Sequence, residues 1–287
     1  MKTCNLFGSK TVLSFEVFPP KATSPENTIY QALDGLTKLN PDFISVTYGA
    51  GGGRNCEKSL QIASDVKNKY GIESIMHLPC VNLTRENALE ILDKLKANHI
   101  ENILALRGDI TDWIAPCGDF SHANELIEFI RENGDFNILA ACYPEKHPES
   151  KSLVDDIQNL KRKVDAGAGQ LVTQLFLDND YFSAFRERAA IAGISVPIEA
   201  GIMPVTNKKS IERMVSLCGI NLPKKFLKTM ERYENNPVAL RDAGIAYAID
   251  QIVDLTAQGV DGIHLYTMNN PYVAEKIYSA VYRLLAA

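Results

Sequence analysis

Eight times along this chain a short run rich in β-branched and apolar residues is followed by a longer stretch with apolar residues at helical spacing. No other feature narrows the fold as much, because such alternation builds parallel strands joined by helical crossovers. The pattern predicts strands at Val12–Glu16, Phe43–Thr47, Ser74–Leu78, Asn102–Leu106, Asn137–Cys142, Leu171–Phe176, Pro197–Ala200 and Gly262–Tyr266. It predicts helices at Pro25–Leu39, Glu57–Tyr70, Arg85–Ala97, Asn124–Glu132, Lys151–Ala166, Tyr181–Ala192, Lys208–Leu217 and Tyr272–Leu285. Lys224–Glu234 and Pro237–Gln258 read as an extra helix and a long one before the last strand. Ser24-Pro25 and Thr84 supply helix N-caps, and Gly71, Gly134, Gly167 and Gly193 stand where a left-handed residue closes a last turn.

Two architectures satisfy this alternation, a closed barrel and an open doubly wound sheet. An open dinucleotide-binding sheet carries G-x-G-x-x-G after its first strand, whereas this chain has Pro19-Pro20 in that turn. The glycine run Gly49–Gly53 after strand two reads most simply as a flexible loop. The expectation is therefore an α/β fold, a single (β/α)8 TIM barrel in which residues 1–287 form one domain, with no composition shift or linker to mark a second.

Composition removes several function classes. With 46% hydrophobic and 23% charged residues the chain is an ordinary globular protein with a large core. A net charge of -5, with no basic cluster denser than Lys161-Arg162-Lys163, argues against a nucleic-acid surface. Cys4, Cys56, Cys80, Cys117, Cys142 and Cys218 include no C-x-x-C pair, so neither zinc nor a disulfide framework is signalled. The N-terminus lacks a signal-peptide core and no run is long enough to span a bilayer, so the expected location is cytoplasmic.

In a barrel the active site lies at the C-terminal ends of the strands. Glu16 ends strand one as a lone carboxylate in an apolar run, stopped by Pro19-Pro20, and burial there would raise its pKa towards the range of a general acid. Thr47 and Tyr48 end strand two, His77 strand three, Arg107-Gly108-Asp109 strand four and Tyr143 strand five; strand six offers Gln174 and strand eight Tyr266. Strand seven contributes only Gly201, which implies an open side. Each residue has a bland alternative: His77 as a satisfied strand-end histidine, Tyr143 and Tyr266 as amphipathic rim residues, Asp109 as an arginine partner or helix cap. Their convergence on one face outweighs the separate alternatives and points to a bound organic molecule. His77, His99, His122, His147 and His264 show no i, i+4 pairing, so no metal cluster emerges. Asp156, Asn159 and Lys163 share a helix face that suits ribose and diphosphate, with Arg107 a second candidate cation, although a solvated face is the simpler reading of that stripe.

These residues fall in longer motifs. Phe15-Glu16-Val17-Phe18-Pro19-Pro20, Val46-Thr47-Tyr48-Gly49-Ala50-Gly51, Leu106-Arg107-Gly108-Asp109, Tyr143-Pro144-Glu145-x-His147-Pro148, Leu160–Gly167, Thr173-Gln174-Leu175-Phe176, Gly201-Ile202-Met203-Pro204 and His264-x-Tyr266-Thr267 run in order through nearly the whole chain. Together they resemble the flavin-dependent methylenetetrahydrofolate reductases, bacterial short form. The resemblance implies a barrel that holds FAD, takes hydride from a reduced nicotinamide donor, and passes it from flavin N5 to 5,10-methylenetetrahydrofolate, giving 5-methyltetrahydrofolate in ping-pong fashion. It places the chain in one-carbon metabolism. Glu16 falls on the family's general acid, which protonates folate N10 and opens the ring to an iminium cation. Asp109 falls on the acid near pterin and flavin, and Gln174 on the amide that bonds the substrate.

By the same matching the FAD contacts are Thr47, Tyr48, Ala50, His77, Arg107, Gly108, Asp109, Ala123, Tyr143, His147, Ser150, Asp156, Asn159, Arg162 and Lys163, and the substrate contacts are Asp109, Gln174, Tyr266 and Thr47. The resemblance places an arginine beside the folate in relatives where this chain has Asn270, and Met214 stands near a position often held by a stacking phenylalanine. The resemblance leaves an alternative open: a flavin- or folate-binding barrel subunit fed by an iron-sulfur partner protein instead of NADH or NADPH. Self-association into a homo-oligomer is also expected.

Overall fold

The computed structural model describes residues 1–20, 23–25, 27–48, 53–109, 119–207, 215 and 219–286, with backbone only for 53–56. Eight parallel strands close into a barrel in sequence order, β1 (Val12–Val17), β2 (Phe43–Val46), β3 (Glu73–Pro79), β4 (Asn102–Leu106), β5 (Asn137–Cys142), β6 (Gln170–Thr173), β7 (Ile198–Ile202) and β8 (Gly262–Tyr266). Around them lie α1 (Asn27–Leu36), α2 (Gly53–Asn68), α3 (Arg85–Ala97), α4 (Ala123–Asn133), α5 (Leu153–Ala166), α6 (Asn179–Ile191), α7 (Lys224–Tyr233), α8 (Pro237–Ala257) and α9 (Pro271–Leu285). The expected (β/α)8 barrel is the fold observed. None of the helices among the described residues is long and apolar enough to cross a membrane.

Strand parity sorts the side chains. Leu13, Phe15 and Val17 join the large cluster shared with the helices, while Val12, Phe43, Ile75, Leu104, Leu139 and Val172 form a separate buried cluster inside the barrel. Because every strand is covered on both sides, its sequence is almost continuously apolar, and each inward polar residue needs a reason. Glu16 shares the inward parity of Val12 and Ser14, and in register it lies between Ser45 of β2 and Tyr266 of β8.

Several expectations need correction. β6 ends at Thr173, so Gln174 lies just past the strand, where its N–H still donates to the Cys142 carbonyl at 2.7 Å. β7 runs on to Ile202. Gly71, Gly167 and Gly193 do hold positive φ, but Gly134 is extended at φ -178 and closes no left-handed turn. Thr84 caps α3 as expected, accepting from the Asn87 N–H at 3.1 Å. α1 is described from Asn27, followed by a 3-10 turn at Thr37–Leu39; Glu26 and, apart from Val215, the helix expected at 208–217, with Met214, lie outside the described residues. The sequence pattern predicts no element before Val12. The N-terminus forms a 3-10 turn, Thr3–Leu6, that closes the bottom of the barrel: Leu6 and Phe7 pack on the interior cluster, and Thr3 is fully buried.

Candidate functional site

At the C-terminal end of the barrel, Glu16 Oε2 lies 3.9 Å from His77 Nε2 and 4.0 Å from His264 Nε2. The Glu16 side chain keeps 20% of its surface exposed, while the two histidines keep 7% and 2%, so the carboxyl reaches solvent over a dry floor. Burial pushes Glu16 up to about 8 and both imidazoles down to about 3. At neutral pH the trio is therefore a neutral acid between two neutral rings, and the 3.9 and 4.0 Å contacts are not ion pairs. Among the described residues, no hydrogen bond reaches the Glu16 carboxyl, and the buried His77 Nε2 has no partner. A buried nitrogen left in that state marks a place where something else binds.

Tyr266 forms one wall. Its hydroxyl donates to the Thr173 carbonyl at 2.8 Å and its ring meets His264 edge-on at 5.4 Å. Gly201 makes this possible, since a Cβ there would sit 2.3 Å from the Thr173 oxygen and 2.8 Å from the Tyr266 ring. The side expected to be open at strand seven is thus filled by Tyr266. Thr267 donates through its hydroxyl to the Glu16 carbonyl at 2.7 Å, and Asn269 pairs with both backbone groups of Phe18. These bonds tie the β8 loop to the end of β1 and fix the backbone that carries Glu16.

A second group is built by the loop between β5 and α5. Asp156 accepts from the Ser150 hydroxyl at 2.8 Å and from the His147 N–H at 3.3 Å, and the Tyr143 and His147 rings meet edge-on at 4.6 Å. Lys163 donates to the Ala141 carbonyl at 2.5 Å, and burial lowers its pKa against the pull of Cys142 and Asp156. The stripe of Asp156, Asn159 and Lys163 is half-buried, and Asp156 tethers this loop, so it is not the solvated face of the simpler reading. Arg162 is exposed and donates to Asn159 at 2.6 Å. Arg107, expected as a second candidate cation, is gripped through both terminal nitrogens by Glu149, one arm at 2.7 Å, which raises its pKa.

The remaining expected positions vary. Thr47 and Tyr48 are half-buried at the end of β2, with the Thr47 N–H donating to Val17 at 3.0 Å. Gly108 holds φ +87 where a Cβ would sit 2.6 Å from Val81, so only glycine passes the chain there, and Asp109 follows on the exposed rim. Gln174 folds back so that its side-chain oxygen accepts from the Leu175 N–H at 2.9 Å. Ala123 opens α4, and Ala50 lies outside the described residues. Asn270 caps α9 by accepting from the Val273 N–H at 3.3 Å, so its amide oxygen is committed to the helix.

Sequence reading missed His264 as a neighbour of Glu16, and missed Ser14 and Glu199 beneath it. The available signal was parity: Ser14 and Glu16 alternate on one face of β1, as His264 and Tyr266 do on β8.

With this geometry in place, comparison with known proteins becomes specific. The family model described as methylenetetrahydrofolate reductase matches residues 4–282. The chain belongs to the methylenetetrahydrofolate reductase family. It is 36% identical over 272 residues to the 5,10-methylenetetrahydrofolate reductase of Pectobacterium carotovorum subsp. carotovorum, covering 95% of this chain and 89% of that one. Identity to the 5,10-methylenetetrahydrofolate reductase of Escherichia coli K12 is 36%, over 95% and 90% of the two chains. The Arabidopsis thaliana methylenetetrahydrofolate reductase (NADH) 1 is 37% identical across 91% of this chain but 46% of its own length. A solved structure of an uncharacterized Clostridium thermocellum protein, which binds two copies of 5-methyl-5,6,7,8-tetrahydrofolic acid, superposes with a TM-score of 0.60 at 12% identity, covering 96% of each chain. That likeness concerns the fold alone. Membership of the methylenetetrahydrofolate reductase family makes this chain an enzyme, an oxidoreductase, with Glu16 and its two histidines at the barrel mouth.

Proposed function

We propose that this chain, acting as one catalytic barrel, reduces 5,10-methylenetetrahydrofolate to 5-methyltetrahydrofolate with FAD as resident cofactor and NADH as donor. The observation that carries the reading is the Glu16 carboxyl, neutral near pH 7 and facing two neutral imidazoles at 3.9 and 4.0 Å. A reduction that begins by opening a five-membered ring needs a proton on its leaving nitrogen, and Glu16 is an acid still loaded at the working pH. Neither His77 nor His264 competes for that proton, since burial holds both far below their usual range. Glu16 gives its proton to N10, and the resulting carboxylate, with Asp109 on the rim, favours the iminium cation on the substrate. Gln174, Thr47 and Tyr266 orient the pterin.

The residues present fit a flavin nucleotide. His77 offers an unpartnered buried nitrogen, Gly108 brings bare backbone to the rim, and the loop from Tyr143 to Ser150 is braced by Asp156 with Lys163 behind it. FAD bound there supplies the hydride chemistry. NADH as donor is supported by the name of the Arabidopsis relative.

The visible spectrum of the purified protein tests this reading. Oxidised flavin should appear, bleach anaerobically with NADH and return with methylenetetrahydrofolate. A protein that takes up no FAD overturns the cofactor. Bleaching by dithionite but not by NADH overturns the donor and puts an iron-sulfur partner protein in its place.

A further inference from the structure

Beneath the mouth lies a second buried acid. Glu199 on β7 is fully buried, in space left by Gly262, whose Cβ would sit 2.8 Å from Glu199 Cγ. Its oxygens have different neighbours: Ser14 Oγ is 2.7 Å from Oε1, and Gln170 Nε2 is 2.8 Å from Oε2.

Backbone groups fix the direction of the hydrogen bonds below Glu199. Asn102 accepts from the Thr3 N–H at 2.8 Å and donates to the Met1 carbonyl at 3.1 Å, so its amide has one orientation. Asn137 Nδ2 must then donate to Asn102 Oδ1 at 3.1 Å and to Thr3 Oγ1 at 2.9 Å, and the Thr3 hydroxyl donates to Gln170 Oε1 at 2.9 Å. Gln170 therefore presents only its NH2 group to Glu199, and Oε2 is an acceptor in every state. Any proton on Glu199 sits on Oε1 and points at Ser14.

Ser14 Oγ is also 2.6 Å from His264 Nδ1, and Nε2 of that ring faces Ser45 Oγ at 3.4 Å and Glu16 Oε2 at 4.0 Å. Ser14 has one hydrogen to give. With Glu199 ionised, Ser14 donates to Glu199, His264 is protonated on Nδ1, and Nε2 faces Glu16 as an acceptor. With Glu199 protonated the order reverses, and His264 faces Glu16 with an N–H.

We propose that Glu199 is a positioning residue that shares one proton with Glu16 through Ser14 and His264. The exchange balances: the Oε1–H of Glu199 passes to Ser14 Oγ, the Ser14 hydrogen passes to His264 Nδ1, and the Nε2 hydrogen passes to the Glu16 carboxylate. The two acids swap states, His264 stays neutral and changes tautomer, and no oxidant or reductant enters. The Glu16 carboxyl, which no hydrogen bond holds among the described residues, closes the last gap by rotating about its own side-chain bonds. Other groups bear on the pair. Asp42 and Asp261 act on Glu199, which burial and their charges hold at about 8. His77 faces Glu16, and Phe43 and Tyr266 flank the His264 ring. The proposal rests on Glu16 as the proton donor and extends that role one layer inward.

Nitrogen-15 NMR of histidine-labelled protein reads the tautomer directly. Between about pH 6 and pH 10 the wild-type His264 should pass from the Nε2–H to the Nδ1–H form without becoming charged. Glu199→Gln, whose amide donates to Ser14 as the protonated acid does, should hold the Nε2–H form throughout, while its folate-reduction rate still falls above neutrality as Glu16 itself ionises. If that variant does not fold, Ser14→Ala breaks the same chain and should uncouple the tautomer from pH. One tautomer at every pH in the wild type, or a Glu199→Gln protein that titrates like it, overturns the proposal. Wild-type turnover of methylenetetrahydrofolate with an unchanging imidazole sinks the relay alone; tautomer exchange without turnover sinks the function assigned above.

Discussion

Glu16 and Glu199 are two inward-facing acids of one barrel, both lifted by burial to about 8, yet their surroundings differ. Glu199 is fully buried and makes two hydrogen bonds, at 2.7 and 2.8 Å, so the fold has met its needs. Glu16 keeps 20% of its side chain exposed and faces two imidazoles at 3.9 and 4.0 Å, too far for a hydrogen bond. A raised pKa alone does not tell the two apart. What marks the site is an acid that the protein has desolvated without satisfying, at a point a substrate can reach. The satisfied acid belongs to the supporting layer, and acts only through its neighbours.

The largest expected effect breaks this contrast at Glu16. Glu16→Gln removes the proton but keeps shape and volume, so folate reduction should fall by roughly 10²–10⁴-fold, the usual worth of a positioned acid. Flavin content and bleaching by NADH should persist, because neither draws on this proton. Stopped-flow measurement of the two half-reactions separates the steps. Equal folate rates in the variant and the wild type would remove Glu16 from its role and leave two structural acids.

A smaller effect concerns stability against pH. Glu16 and Glu199 bind protons more tightly folded than unfolded, so their contribution is complete below pH 4.5 and is lost as pH rises towards about 8. His77 and His264 behave oppositely: their contribution is complete above pH 6.5 and is lost as pH falls towards about 3. Two acids and two histidines have opposing slopes between 4.5 and 6.5, so stability should be highest and nearly flat there, falling on either side. Urea midpoints measured from about pH 4 to pH 9 check this. In Glu16→Gln the alkaline fall should become shallower; an unchanged slope would mean that the Glu16 carboxyl titrates as though in water.

The barrel was legible because period-2 and period-3.6 patterns alternate eight times, and because strand ends are where such folds carry their chemistry. Glu16 could be read for the same reason: it was the one charge at the end of an apolar strand. Its two imidazoles were less visible. His77 looked like an ordinary strand-end residue and His264 gave no spaced partner, since their closeness is set by barrel closure between β8, β1 and β3, which no local pattern records. Glu199 was passed over inside a predicted strand, and its room comes from Gly262 on a neighbouring strand. The N-terminal turn was missed because Thr3 gains its partners, Asn102, Asn137 and Gln170, only once the barrel bottom exists. The partner of Arg107 was not legible in sequence, where Asp109 was the candidate, because Glu149, forty-two residues on, arrives by tertiary contact.

The smallest effect tests whether the rule drawn from the two acids extends to other polar groups near the mouth. Asn270 follows β8 at a position that the family resemblance set beside the folate, but its amide oxygen accepts from the Val273 N–H at 3.3 Å. Like the oxygens of Glu199, this oxygen is engaged by the protein, and unlike Gln174 and Tyr266 it caps a helix that would lose its cap if the side chain turned away, so Asn270 supports the fold and does not read the substrate. Asn270→Ala should therefore cost about 1 kcal/mol of stability, the typical worth of a helix cap. In a chain of this length that lowers Tm by roughly 2 °C. The KM for methylenetetrahydrofolate should stay at the wild-type value. A several-fold rise in KM with Tm unchanged would reverse the assignment, and would show that an engaged side chain at this mouth can leave its cap to meet the folate.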